Sequence, residues 1–221
     1  MSQKRKLLPA LLTLTILLPV GKGFGAIVFF GPNVIPSWNE IPIPTTYAGV
    51  SVDLETGSSS NDLSGVSDGA VNLYFGGQSI SNDAEAAGTT ARFQPVRTGT
   101  GNTDAVSNMS PGTSVSAADL YSIGYGNSTD HIPAGGFTAG TPGYIGFSLV
   151  LPSNGELVYG WMKVTMTNDG TTPGVIHEWA YNDTPNAPIN VGEGAIPEPS
   201  GVLMLAAGLG GIALRRRRRR D

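Results

Sequence analysis

The sequence predicts an all-β fold, an antiparallel β-sandwich or jelly roll, on three observations. Apolar and polar residues alternate with period two in several short runs, the pattern of strands buried on one face. Gly, Ser, Asn and Asp, which supply turn conformations, cluster between those runs, and the 221 residues include 31 glycines and 16 prolines. Helix signals in the body reduce to Ser114–Ser122, where Ser116-Ala117-Ala118-Asp119 resembles a capping box with Asp in place of Glu. Two faces of alternating residues joined by long polar connections have few other stable solutions.

In chain order, residues 1–25 have the three parts of a secretory signal peptide: the basic Lys4-Arg5-Lys6, the apolar run Leu7–Val20, and the small residues Gly21, Gly23, Gly25 and Ala26. Cleavage is expected near Gly25 or Ala26. The alternative, an uncleaved anchor, is disfavoured by the shortness of the run and by Pro9 and Pro19 within it. A β-rich body follows over residues 26–191. Ile27–Phe30 reads as a first strand, and Pro32, Pro36, Pro42 and Pro44 then predict an extended arm without regular structure up to Thr45. Tyr47–Leu54 sets Ala48, Val50, Val52 and Leu54 on one face and Tyr47, Gly49, Ser51 and Asp53 on the other. Ala70–Phe75 and Thr90–Val96 follow the same pattern less strictly, and Glu55–Gly69 reads as a loop.

Tyr144–Leu151, Glu156–Met166 and Val175–Tyr181 are rich in β-branched and aromatic residues. The turn sequences Pro152–Gly155 and Asn168–Gly170 separate them, which predicts a three-stranded antiparallel meander. Val158, Met162, Val164 and Met166 share the expected core face of the middle strand, opposite Tyr159, Trp161, Lys163 and Thr165. The polar, proline-bearing Asn182–Gly194 reads as a semi-stiff connection, with the domain boundary near Val191 and a spacer over residues 192–196.

The tail, residues 197–221, reads as an address. Pro197, Glu198 and Pro199 precede the apolar run Gly201–Leu214, then Arg215, Arg216, Arg217, Arg218, Arg219 and Arg220 and the terminal Asp221. A helix over Gly201–Leu214 rises only about 21 Å against a hydrocarbon core of roughly 30 Å, which suits a transient inner-membrane anchor better than a permanent one. The arginines mark the cytoplasmic side, so the body is expected outside. The triplet, the short Gly/Ala/Leu run and the arginine cluster together resemble the PEP-CTERM sorting signal recognised by exosortases. Tyr144-Ile145-Gly146-Phe147, Tyr159-Gly160-Trp161 and Trp179-Ala180-Tyr181, followed by Pro185 and Pro188-Ile189, are similar to a C-terminal module of exported PEP-CTERM proteins, over about Gly143–Gly194. The resemblance implies a substrate of the secretion translocon, signal peptidase and an exosortase that cuts at or near the triplet. The protein would end at the cell-envelope surface or in an exopolysaccharide or biofilm matrix.

Composition narrows the function classes. With no cysteine, neither disulfides nor thiolate metal sites exist. Between residues 26 and 196 only Arg92, Arg97 and Lys163 stand against 15 of the 17 acidic residues, a net charge of −12, which opposes nucleic acid and anionic lipid. Catalytic motifs fail one by one. His177-Glu178 starts like a zinc-protease helix, but Tyr181 stands where the second histidine belongs; His131 sits in a polar loop, and no G-x-S-x-G elbow surrounds a serine. No enzyme is expected, and a hydrolase would need a cleft bringing His131 or His177 to a carboxylate. Asp53, Asp62 and Asp68 are hard oxygen ligands within one Gly/Ser-rich stretch, a candidate Ca2+ set. Trp161 and Trp179 would stack on sugar rings if exposed, the mark of a carbohydrate-binding module. The leading expectation is a structural or adhesive surface protein that meets extracellular polysaccharide.

Overall fold

The computed structural model describes residues 25–32, 35, 38–61, 70–82, 93–121, 127–128 and 131–194. Among the described residues thirteen strands follow one another: β1 (Ile27–Phe30), β2 (Ile41–Ile43), β3 (Val50–Asp53), β4 (Ser59–Ser60), β5 (Ala70–Tyr74), β6 (Ser79–Asn82), β7 (Phe93–Pro95), β8 (Ser114–Val115), β9 (Asn127–Ser128), β10 (Pro142–Val150), β11 (Leu157–Thr165), β12 (Gly174–Asn182) and β13 (Ile189–Asn190). The fold is all-β and antiparallel. A six-stranded sheet runs β1-β12-β11-β10-β7 with β2 also on β12, a five-stranded sheet runs β4-β3-β5-β6-β9, and β13-β8 form a ribbon.

The two larger sheets share one apolar core. Val50, Val52, Val71, Leu73 and Ile80 come from the five-stranded sheet; Phe147, Val158, Met162, Val164, Ile176 and Trp179 come from the six-stranded one. The face expected inside on the middle strand of the meander is therefore inside. The opposite face is also covered: Phe29, Tyr159, Trp161 and Ala180 form a second, smaller cluster with Val115, Ile189 and Val191 of the ribbon region. The meander strands are thus buried on both faces.

Two glycines make that double burial possible. In the β10–β11 register Phe147 faces Gly160 and Gly146 faces Trp161. A Cβ on Gly160 would lie 2.3 Å from Phe147 Cζ and 2.6 Å from the Ala180 carbonyl oxygen, so the phenyl ring occupies the space over the glycine. A Cβ on Gly146 would lie 2.3 Å from Met109 Sδ and 3.0 Å from Val115 Cγ2. Each glycine admits a neighbour that any side chain would displace.

Two expectations need correction. The proline arm is not free of regular structure, since Ile41–Ile43 pairs with Gly174–Ile176 as β2. As an edge strand it carries the exposed Pro42 without losing a ladder bond, while Ile41 and Ile43 point into the core. The helix expected over Ser114–Ser122 is a strand followed by a turn. The capping-box bonds do form, Ser116 N–H to Asp119 Oδ2 at 2.7 Å and Ala118 N–H to Ser116 Oγ at 3.3 Å, but they close a turn around a segment with no apolar stripe to bury. Next to the expected boundary, Asn190 pairs with Ser114, and the Glu193 carbonyl accepts a 3.1 Å hydrogen bond from Trp161 Nε1–H. Among the described residues no helix is long and apolar enough to cross a membrane.

Candidate functional site

β1 and β2 lie along the same flank of β12, separated by a loop that packs where β12 is irregular. Across the β11–β12 pair, Lys163 faces Glu178 but Val164 faces Ile176, so His177 is an extra residue in a β-bulge. Strict alternation would turn His177 into the core and Ile176 out of it. The bulge returns Ile176 to the core and aims His177 outward beside Glu178, the re-aiming that bulges perform. There His177 Nδ1 lies 2.7 Å from Glu40 Oε1, Nε2 lies 2.8 Å from Thr165 Oγ1, and the His177 carbonyl accepts a 2.7 Å bond from Trp38 Nε1–H. A carboxylate only accepts, so in the neutral imidazole Nδ1 holds the proton and Nε2 accepts from the threonine hydroxyl. Lys163 Nζ and Glu178 Oε1 stand 3.5 Å apart alongside.

The distances are those of a nucleophile–base–acid relay. One condition for a hydrolase, a histidine beside a carboxylate, is met. Yet the Glu40 side chain is 59% exposed, so water screens the charge that would orient and support the base. The arrangement acts as a bolt: Trp38 and Glu40 clamp the arm onto the bulge, and Trp38 packs edge-on against Trp179 with ring centroids 5.2 Å apart. His131, the other histidine, is buried, accepts a 3.0 Å bond from Val106 N–H at Nδ1, and borders a cavity of about 230 Å³ with Gln78, Ile132 and Asn168.

The exposure that sugar stacking by the tryptophans would require is absent. Trp161 and Trp179 are 0% exposed. Trp179 stacks on Phe30 at 4.9 Å and donates to the Leu54 carbonyl at 3.0 Å, while Trp161 packs against Phe29 and Tyr144. Both indoles lie on strands covered from either side, and each N–H is satisfied internally, so they are core. The exposed aromatic surface lies elsewhere. Tyr47 is 71% exposed, stacks on Tyr74 with centroids 6.0 Å apart at 23°, and meets Phe75 at 6.2 Å. Tyr47 and Tyr74 stood on the polar side of their strands in the sequence, where an aromatic on the solvent face was the available signal.

Asp53 serves its own turn. Its Oδ1 accepts from the backbone N–H of Glu55 at 2.8 Å and of Thr56 at 3.1 Å, and its Oδ2 from the Thr56 hydroxyl at 2.7 Å. Asp62 and Asp68 lie outside the described residues, as do Pro197, Glu198, Pro199 and Arg215–Arg220. Among the described residues no three His, Asp or Glu side chains are grouped to hold a metal ion. Of the basic residues, Arg97 is buried, donates to the Asp104 carbonyl at 2.7 Å, and has its pKa lowered by burial against the opposing pull of Asp104. Burial, reinforced by Asp119, raises the pKa of Tyr121 and Tyr159, whose rings stack 6.0 Å apart, and burial pushes Tyr181 up to about 12; all three stay protonated at neutral pH. No protein-family model matches the chain, and no curated protein and no solved structure matches it.

Proposed function

We propose that the chain is an exported protein whose body is delivered through a membrane-held intermediate, is freed from its tail by an exosortase-type enzyme, and serves a structural or adhesive role in the cell envelope or a polysaccharide matrix. The observation that carries the reading is the order of the tail: Pro197-Glu198-Pro199, a 14-residue apolar run from Gly201 to Leu214, and six arginines. The arginines hold their end in the cytoplasm, and the prolines keep the triplet extended and outside the apolar run, where a membrane protease reaches it. The fold supports this division. The shared core is built from residues between Val28 and Tyr181, and its two ends meet, since a Cβ on Gly194 would touch Ile27 Cγ2 at 2.6 Å. Leader and tail therefore join the domain at one corner, so a membrane-proximal tether at either end leaves the same surface facing away.

Mass spectrometry of the mature protein tests the reading. In a host with the sorting enzyme the recovered chain should begin near Ala26 and lack Arg215–Arg220, and replacing Pro197 and Pro199 with alanine should cause the precursor to accumulate in the inner membrane. A mature chain that keeps its arginines would sink the proposal and leave a plain tail anchor. A hydrolytic reading draws on the Thr165–His177–Glu40 spacing alone, and the exposure of Glu40 places it second.

A further inference from the structure

We propose that Asn154, in the turn that joins β10 to β11, is a site of spontaneous deamidation, and that the hydrogen bonds of the turn set its rate. The proposal stands apart from the sorting reading, since it needs only water and the chain itself. Asn154-Gly155 is the only Asn-Gly pair in the sequence. In such a pair the backbone nitrogen of the glycine reaches the side-chain carbonyl carbon with least obstruction, because no Cβ crowds the approach. The space is open here: a Cβ on Gly155 would meet nothing within 4 Å, and Asn154 is exposed to water.

The chemistry balances without an oxidant or a cofactor. Gly155 N gives up its proton to base and attacks Asn154 Cγ. The N–Cγ bond forms as the Cγ–Nδ2 bond breaks, and the side-chain nitrogen takes a proton from water and leaves as ammonia. Water then opens the five-membered imide at either carbonyl, which yields aspartate or isoaspartate.

The turn prepares the electrophile and restrains the nucleophile. Asn154 Oδ1 accepts from Glu156 N–H at 2.9 Å, so the charge that develops on this oxygen meets a donor already in place. Gly155 N–H, in contrast, donates to the Leu151 carbonyl at 2.8 Å, which holds the proton that must be lost and ties the nitrogen down. Asn154 Nδ2 donates to Glu156 Oε2 at 2.8 Å, and Ser153 N–H donates to Glu55 Oε2 at 3.2 Å. Cyclisation therefore waits for the Gly155–Leu151 bond to open, and a turn of exposed residues opens locally without unfolding of the domain. The turn at the other end of β11 carries Asp169-Gly170, which cyclises only from a protonated carboxyl. There the bonds from Thr172 and Thr171 hold the carboxyl ionised at neutral pH. A carboxamide has no such protection, so Asn154 is the reactive turn residue of the meander.

Conversion runs one way. The product replaces the donor that Glu156 Oε2 accepted from with a like charge, and isoaspartate adds a carbon to the main chain between the Leu151 carbonyl and Gly155 N–H. The modified turn should stay looser than the original.

The test incubates the purified full-length chain over a pH series and follows each asparagine by peptide mass spectrometry. Asn154 should convert before any other asparagine, faster as pH rises, and about tenfold or more faster in urea than in the folded chain. Pro152→Gly loosens the turn, so it should speed conversion in the folded protein about two- to fivefold and leave the rate in urea unchanged. Gly155→Ala should slow conversion about tenfold in urea, where the strain of a side chain at φ +74 no longer enters. In the converted protein the Gly155 amide should exchange its hydrogen faster than before. The proposal is overturned if Asn154 keeps its carboxamide in the folded chain at every pH, or if another asparagine converts first. It also fails if folded and urea-unfolded chains convert at the same rate, or if Pro152→Gly leaves the folded rate unchanged.

Discussion

The two large sheets differ in what their second face does. In the six-stranded sheet, β10, β11 and β12 each run nine residues, and side chains on both sides are enclosed, one side by the opposing sheet and the other by the β8–β13 ribbon. In the five-stranded sheet the strands run two to five residues; one side joins the shared apolar core, while the other buries the polar Ser51 and Ser81, with Tyr47, stacked on Tyr74, 71% exposed at its margin. The second face of the long-stranded sheet is thus closed by apolar packing, whereas that of the short-stranded sheet holds buried polar side chains.

Truncation at the centre of the enclosed sheet is the largest expected effect. Trp179→Ala should cost about 3–5 kcal/mol, the range for a buried aromatic, because it empties the space between Phe30 and Trp38 and strands the Leu54 carbonyl. Gly160→Ala should cost about 1–3 kcal/mol, since the new methyl group meets the Phe147 ring on one side and the Ala180 carbonyl on the other, and the backbone oxygen cannot swing away. Tyr47→Ala, at the exposed margin of the short-stranded sheet, should stay within about 0.5 kcal/mol. Urea denaturation of the three variants measures all of them. Equal losses for Trp179→Ala and Tyr47→Ala would erase the distinction between the sheets.

The next effect lies on the seam where the arm meets the bulge. His177→Ala removes the bonds to Glu40 and Thr165, and with the site partly open to water the loss should be about 1–2 kcal/mol. Glu40→Gln should cost less, because its carboxylate is the more exposed partner. The same variants separate bolt from relay: a fluorophosphonate probe should leave the wild-type chain unlabelled. Labelling at Thr165 that disappears in His177→Ala would instead establish a nucleophile on the sheet.

Sequence alone made the meander legible because its signals are local and repeated: period-two alternation, two turn sequences of the right length, and aromatic and β-branched residues between them. The inward face of Tyr47–Leu54 was legible for the same reason. The bulge was legible in principle, since Ile176-His177-Glu178-Trp179 sets two polar residues between two inward-facing apolar ones. β2 was hidden because three of its pairings depend on a distant edge of β12 that tolerates Pro42. β8 and β13 were hidden because two-residue strands have no period to read, and their pairing covers Trp161 from a region that looked like a connection. For that reason the sequence left the exposure of the tryptophans open: the cover over each indole comes from segments far away in the chain, and no local pattern reports it.

The smallest expected effect is a titration, and it tests the turn between β11 and β12, which bonds to the Phe75–Gly77 turn of the five-stranded sheet. Between β11 and β12, Asp169 accepts from the Thr172 hydroxyl at 2.6 Å, from Thr172 N–H at 2.7 Å and from Thr171 N–H at 2.9 Å, and these bonds, the hydroxyl first, lower its pKa from 3.8 to about 2. The same turn reaches the five-stranded sheet's side of the molecule, because Thr167 Oγ1–H donates to the Thr172 carbonyl at 2.6 Å while Thr167 N–H holds the Gly76 carbonyl at 3.0 Å, next to the strained Phe75. A carboxylate depressed in the folded state contributes stability that is present in full above its unfolded value and lost as pH falls through its folded one. The difference in melting temperature between wild type and Asp169→Asn should therefore be constant above about pH 4 and shrink as pH falls toward 2. A carboxyl-detected NMR titration should place the midpoint of Asp169 near 2. A midpoint at the ordinary value of 3.8 would mean that the turn's bonds do not persist in solution, and the Thr167 contact to the Gly76 carbonyl would then be the first link between the two turns to loosen.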